Sequence, residues 1–381
     1  MALKSYDVVV CGAGIAGIAG AITAARQGMK TALIEKQCLL GGLATSGLIY
    51  IYLALCDGYG NQVIYGFAEE LLKRSVEYGP FDIPAKWGGP ANNYSGITDK
   101  RYQCCFSPAG FTLTLDKMLA EAGVNLFLDT MITGAKTEND SIVSINAANV
   151  SGQFDISGKC FIDATGGAFV VQMAGGKIHR QENFITPWFI EMAEKHDFFH
   201  FTDDLHIQCE GAVSDKYKYS DCNSGRLVTD FIRKSWDLIR KRYDALPSTE
   251  KRKNYPVHLA AMPQLRKIGA IDALYMLDDS DHNIKFADSV GSVPDWRKPD
   301  TPWDTPYRSL VPRDVKNILC AGRCIGALHE AWEVYRVIPA AAMTGEAAGF
   351  AATVAVNDNV TPADIDYSKL KKLLDRRNKK C

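Results

Sequence analysis

The apolar positions near the N-terminus alternate between two kinds of run. Residues 6–11, YDVVVC, are short and β-branched, the pattern of a buried parallel strand. Glycines follow at 12, 14 and 17. Residues 15–27 are small and apolar, which predicts a helix, and Gly28 suits the position just past its end. Residues 30–34 predict a second strand, with Glu35 at its tip. Strand, glycine turn, helix, strand and acid make a complete βαβ unit, with the acid at the expected distance from the last glycine.

The rest of the chain is less regular. Helices are predicted over 61–78 and over 111–122, the latter closed by Gly123. Strands over 124–128, 131–137 and 141–150 give a β-meander. Residues 160–167, CFIDATGG, predict a further buried strand. From 176 to 223 the chain is rich in aromatics and histidines without a period. Residues 225–245 predict the longest amphipathic helix, with Leu227, Val228, Phe231, Trp236 and Ile239 as its apolar stripe. A proline-rich stretch, 293–313, leads back to a strand at 318–320, a turn at Gly322 and a helix of small residues over 338–356. A charged tail, helical over 369–380, closes the chain. These runs divide the chain into a discontinuous nucleotide domain (1–170 and 310–360), an inserted α+β cap (171–309) and a tail (361–381).

Composition narrows the function classes. At 381 residues, 47% hydrophobic and 23% charged, the chain is an ordinary globular one with room for two or three units. Forty-three basic against 44 acidic side chains leave a net charge of −1, so no nucleic-acid partner is expected. The basic cluster Arg233, Lys234, Arg240, Lys241 and Arg242 reads as a solvated helix face. No apolar run approaches the length of a membrane span, and the chain enters its first strand without a secretory leader. The expected location is the cytosol. Eleven cysteines are scattered without a CxxC; Cys104-Cys105 and Cys320 with Cys324 are the close pairs. They predict small buried hydrophobes, no metal site and no disulfide relay.

The glycine turn carries the chemistry. Gly12 permits the tight turn, Gly14 lets backbone N–H groups approach a pyrophosphate, and Gly17 lets the helix pack close to the strand. The helix N-terminus then turns its positive end toward the phosphates. Glu35 accepts hydrogen bonds from ribose hydroxyls and disfavours a 2′-phosphate. The unit by itself does not separate FAD from NAD.

Several segments together resemble a known family: GAGIAG, ARQGMKTALIEK, LGGLATSG, IDATGG, MPQLRKIGAI with FADSVG, and CAGRCIGALHEAWEVYRVIPAAAMTGEAAGFAA. The chain resembles the bacterial FAD-dependent oxidoreductases of the FAD-oxidored type over about residues 5–356. These belong to the glutathione-reductase-like flavoproteins, near the fumarate-reductase-like proteins and the heterodisulfide-reductase flavin subunit. The resemblance implies an α/β fold: a Rossmann-like FAD-binding domain of parallel sheet plus β-meander, with an inserted α+β substrate domain. It also implies non-covalent FAD. The cofactor positions are Gly12, Gly14, Ile15, Ala16, Gly17, Glu35, Lys36, Gly41, Gly42, Leu43 and Ala44 at the start. Met131 and Ile132 border the adenine, and Ala164, Thr165 and Gly166 pass the pyrophosphate. Gly322 and Arg323 flank the ribityl chain, and Met343, Thr344, Gly345 and Ala347 meet the flavin's pyrimidine side.

Departures from the family matter too. Gly167-Ala168-Phe169 stands where the family carries an acid after its ATG, so no general acid transfers to that place. The cluster-binding cysteine runs of the heterodisulfide-reductase relatives are missing, which argues against electron bifurcation. No second GxGxxG unit exists; Gly58-Tyr59-Gly60 lacks the third glycine.

The expected reaction is hydride transfer between flavin N5 and a small organic substrate. A diffusing nicotinamide, a partner redox protein or oxygen remain as electron partners. An oxygen-using amine or hydroxy-acid oxidase, and a flavin subunit of a larger electron-transfer complex, are the alternatives. His329 is the candidate proton donor or acceptor, and Arg336 the candidate clamp for negative charge. A second set, His179, His196, His200, His206, Tyr217, Tyr219 and Arg266, predicts a polar, ring-accepting pocket on the cap.

Overall fold

The computed structural model describes residues 4–90, 100–193, 198–202, 217–219 and 224–377. The first unit forms as its residues dictate: β1 (Lys4–Cys11), α1 (Ile15–Arg26) and β2 (Thr31–Ile34). Two helices follow, α2 (Phe67–Ser75) and α3 (Pro108–Glu121). Ser107 caps α3 by accepting from the Gly110 N–H at 3.2 Å, and Pro108 opens its first turn. Then come β3 (Asn125–Phe127), β4 (Met131–Glu138), β5 (Ser141–Asn149), β6 (Gly152–Asp163) and the short α4 (Phe169–Met173).

The cap contributes β7 (Phe189–Ala193), β8 (Phe198–Thr202), α5 (Gly225–Asp244) and β9 (Tyr255–Leu259). The chain returns through β10 (Ile318–Cys320), α6 (His329–Tyr335), α7 (Ile338–Asp358) and α8 (Tyr367–Arg377).

The main sheet has the order β3-β2-β1-β6-β5-β4, with β10 also on β6. β1 runs parallel to β2 and β6, β2 to β3, and β10 to β6. Cys11 lies opposite Ile34 and Asp163, and Cys320 opposite Asp163, so four strand ends finish at one level. Ligands of such sheets bind just beyond that edge. The meander differs from the expected one. Asn125–Phe127 joins the parallel sheet beside β2, and β4, β5 and β6 make the three antiparallel runs. The expected strand from 160 is the last third of the 12-residue β6. Its first half pairs with β5, and Phe161–Asp163 face β10.

The core beneath the sheet edge is a helix pair. A Cβ on Gly345 would lie 2.2 Å from the Ala16 carbonyl oxygen, and one on Gly349 2.6 Å from that of Gly20. The small residues of α7 therefore let it lie directly against α1.

Packing also redraws the unit boundaries. Ala270, Leu277, Val290, Val293, Trp303 and Tyr307, expected in the cap, lie in the same core as α1, α7 and Leu310. The proline-rich segment is ordered because Trp303–Pro306 pairs with Ser289–Val293. Leu370 and Leu374 of α8 enter that core as well, which anchors the tail. The cap keeps small clusters of its own: Phe231 with Ile185, Tyr219 and Leu265, and Ile239 with Phe189 and Tyr243. Leu227 and Trp236 of the expected stripe are exposed.

Candidate functional site

A cleft opens at the shared edge of β1, β2, β6 and β10. Gly12 turns the chain out of β1 with φ +95°, and a Cβ there would lie 2.7 Å from the Ala164 oxygen. Gly17 sits behind the turn; its Cβ would meet the Gly12 oxygen at 1.8 Å, so it packs the helix and does not line the cleft. Gly14 is the N-cap of α1 and offers no side chain to the first N–H groups. Those donors are left for a ligand. Gly41 donates to the Ala13 oxygen at 2.8 Å, and a Cβ on Gly42 would lie 3.2 Å from the Gly14 Cα. Two glycine turns thus make a cradle free of side chains, which fits a dinucleotide pyrophosphate.

Glu35 is buried at the tip of β2. Its carboxylate accepts from the Ala13 N–H at 2.7 Å and the Gln37 N–H at 2.9 Å. These bonds fix it at the cleft wall with acceptor capacity to spare for ribose hydroxyls. An adjoining recess shares Gly12, Glu35, Lys36 and Thr165 and is lined further by Met131, Ile132, Phe169 and Met173. That recess suits an adenine.

The opposite wall begins at Asp163. Its fully buried carboxylate accepts from Thr165 N–H (3.0 Å), Thr165 Oγ1 (2.6 Å), Val170 N–H (2.8 Å) and Val171 N–H (3.1 Å). Burial raises its pKa against these bonds. The bonds hold Ala164, Thr165 and Gly166 in the lining. Burial also pushes up the neighbouring thiols of Cys11, Cys320 and Cys324, the last to about 12, so they act as small hydrophobes. Cys209, Cys222 and Cys381 lie outside the described residues.

Ile15, Ala16, Leu43, Ala44, Gly322 and Arg323 complete the expected lining. The Arg323 guanidinium lies against Gly166, whose added Cβ would fall 2.2 Å from Nη2, and its Nη1 donates to the Leu265 oxygen at 2.5 Å. Burial lowers its pKa to about 10. Met343, Thr344, Gly345 and Ala347 are not in the cleft. All four are buried in the core, where Gly345 faces α1 and Thr344 Oγ1 accepts from the Gly322 N–H at 2.9 Å. Val337, Ile338 and Ala341, a turn or two earlier, line it instead.

The two catalytic candidates separate. Arg336 lines the cleft; its Nε donates to Glu333 Oε2 at 2.5 Å, and its guanidinium lies 5.4 Å from the Trp296 ring centroid. His329 does not reach the cleft. Its exposed side chain begins α6 and bonds Asp278 Oδ1 at 2.9 Å, which raises its pKa above the ordinary 6.5. Its surface place corrects the expectation of a proton donor beside the flavin.

Sequence reasoning missed the third wall. Met262, Pro263, Leu265 and Ile268 line the cleft from a loop with no period to mark it. Ala261 N–H donates to the Ser46 oxygen at 2.8 Å, and Gln264 Nε2 to the Gly47 oxygen at 2.6 Å. Arg266 N–H and Lys267 N–H both donate to Asn183 Oδ1, at 2.8 and 2.9 Å. Burial, with Arg336 and Arg323 nearby, lowers the Arg266 pKa to about 9. Lys267 Nζ lies 2.6 Å from Glu333 Oε1. Burial opposes the Glu333 charge, yet Arg336 and Lys267 hold its pKa below the ordinary value.

Of the remaining cap candidates, His179 is exposed and 3.9 Å from Asp272. Tyr219 donates to Asp230 Oδ2 at 2.6 Å, and Tyr217 packs on the same cap cluster. His196 and His206 lie outside the described residues, as does the side chain of His200.

The sheet edge, side-chain-free cradle and ribose acid define a dinucleotide-binding protein. The chain belongs to the FAD dependent oxidoreductase family, whose model matches residues 7–255 and 279–374. Membership in that family makes FAD the cofactor of this cleft. A thioredoxin reductase of Ureaplasma parvum is 35% identical over 71 residues, 19% of this chain and 23% of that protein. A digeranylgeranylglycerophospholipid reductase of Methanocella arvoryzae is 28% identical over 171 residues, 43% of this chain and 40% of that protein. The matches thus span less than half the length of these curated relatives. A geranylgeranyl bacteriochlorophyll reductase-like protein of Thermoplasma acidophilum shares the fold, with a TM-score of 0.51 and 16% identity over 99% of this chain and 84% of that one. Among the described residues no single helix is long and apolar enough to cross a membrane.

Proposed function

We propose that the protein exchanges a hydride between FAD and a small organic substrate held against the 262–268 loop. The supporting observation is the continuity of one cleft, which runs from the Gly12–Gly14 turn and Glu35 to Arg336 and Met262. When bound, FAD supplies the hydride-accepting or hydride-donating centre. The chain's own residues bind and orient. Ala13 and Gln37 fix the ribose acid, and Asp163 fixes the turn that passes the pyrophosphate. Arg323 ties that turn to the loop through Leu265. Arg336 places positive charge at the far wall, where it would stabilise the negative charge of a reduced flavin. The substrate reaction is oxidation of a C–H bond flanked by oxygen or nitrogen, or reduction of an activated C=C bond. The names of the two geranylgeranyl-type reductases are compatible with the second form.

The test begins with the purified protein. It should be yellow, and heat or acid should release FAD into the supernatant. The flavin is then reduced anaerobically and offered oxygen, a nicotinamide and candidate organic acceptors in turn. Rapid reoxidation by one acceptor identifies the electron partner. A colourless protein that also fails to bind added FAD overturns the reading.

A further inference from the structure

The loop that forms the third wall faces two chemically different spaces. Its first part, Met262 and Pro263, lines the cofactor cleft and also a chamber in the cap. That chamber is bounded by Trp188, Phe231, Trp236, Ile239 and Leu259. Its polar side chains, apart from the indoles, are already engaged. Gln264 bonds the Trp188 backbone through Oε1 at 2.9 Å and through Nε2 at 3.0 Å, and Ser235 donates to the Phe231 oxygen at 2.8 Å. An apolar group therefore enters without leaving a donor or acceptor unpaired.

The second part of the loop carries charge. Arg266 and Lys267 lie beside Arg336, with Glu333 as the carboxylate between them. Lys267 and Arg336 share that one carboxylate. Arg266 makes no ion pair among the described residues; its Nη1 donates to the Gln264 carbonyl. Positive charge in excess of its counterions, with little exposure to water, is costly until an anion arrives. The cofactor's pyrophosphate would have its own partners in the glycine cradle.

We infer that the substrate is an organic carboxylate with an apolar body, its anion drawn to Arg336 with Arg266 behind it and its body seated in the cap chamber. This rests on the hydride-transfer reading of the cleft, and it specifies the substrate class. Arg336 uses Nε for Glu333 and keeps the rest of its planar fork for a carboxylate.

The test uses the FAD-loaded protein and four probes: phenylacetate, octanoate, 2-phenylethanol and acetate. Each is titrated while the visible flavin band is followed. At least one of the two apolar carboxylates should give a saturable shift, with the alcohol and acetate at least tenfold weaker. Arg266→Gln should weaken carboxylate binding five- to tenfold at unchanged FAD content, and Arg266→Lys should restore most of it. Equal binding of alcohol and carboxylate overturns the inference, as does an Arg266→Gln protein that binds normally. Failure of both apolar carboxylates to bind the loaded protein overturns it too. If the protein holds no FAD, tryptophan fluorescence replaces the flavin signal. Arg266-dependent carboxylate binding would then uphold the anion site while the redox reading fails.

Discussion

The cradle and the loop wall border one cleft but are built from different material. In the cradle the working groups are backbone: the N–H groups of the α1 terminus and the space left by absent side chains. In the wall they are side chains, Arg336 and the apolar residues of the 262–268 loop, with Arg266 and Lys267 behind them; bonds to Ser46, Gly47 and Asn183 place the loop. Backbone sites tolerate almost no added volume and tell little about a partner's identity. Side-chain sites tolerate substitution and carry selectivity. On the proposed reading, the cradle serves a common cofactor and the wall a particular substrate.

The sharpest way to break this contrast is to add volume behind the cradle, where the turn packs on its helix. Gly17→Val places carbon where the Gly12 oxygen already lies within 1.8 Å of an ideal Cβ. We expect a loss of about 3 kcal/mol in stability together with loss of bound FAD, read from the melting curve and the flavin absorbance. Normal FAD content would show that the turn yields more than its packing implies. Next in size is Glu35→Ala. Removing a charged acceptor should weaken FAD binding by about 1.5–3 kcal/mol while leaving the fold intact at saturating FAD, as titration of apoprotein would show. Unchanged affinity would take Glu35 out of the ribose site.

On the wall the expected effects are electrostatic. Arg336→Ala should lower the two-electron flavin potential by roughly 20–30 mV, about 1 kcal/mol, and weaken the sulfite adduct at N5. The shared Glu333 keeps the effect modest. An unmoved potential would leave the α7 terminus as the source of any field. The smallest effect belongs to His329→Ala. Its pKa is raised by Asp278, so its pair contributes stability below about pH 6.5 and loses it as the pH climbs through the folded value. Being exposed, it should change stability by less than about 0.5 kcal/mol, and only on the acid side. Turnover should be unchanged; a large fall would return His329 to the chemistry.

The same contrast decides what was legible in the chain. The βαβ unit is local: its strands, glycines and acid stand in one short stretch, and each has a steric or hydrogen-bonding reason. Glu35, Gly12 and Gly14 could be placed from spacing alone, and the family resemblance supplied Ala164, Gly322 and Arg323. The wall is not local. Met262 to Lys267 is held by Ser46, Gly47 and Asn183, distant in sequence, and no periodicity announces such bonds. Met343 to Ala347 misled for a related reason. Small residues serve close approach to a flat ring and close approach to a helix equally well, and only the position of α1 distinguishes them. His329 stood near the right motif but on the outer side of a turn, where Asp278 holds it.

The meeting of the chain's two ends has a consequence for biosynthesis. Phe67 N–H donates to Glu346 Oε1 at 3.1 Å across 279 residues, and α7 fills the groove that α1 presents. Until the ribosome has released α7, the apolar face of α1 has no cover and the sheet lacks β10. The nascent chain must therefore wait for α7 before the cofactor cleft closes, exposing sticky surface meanwhile. A free pool of FAD at that moment would act as a folding ligand, drawing the two ends together as it binds.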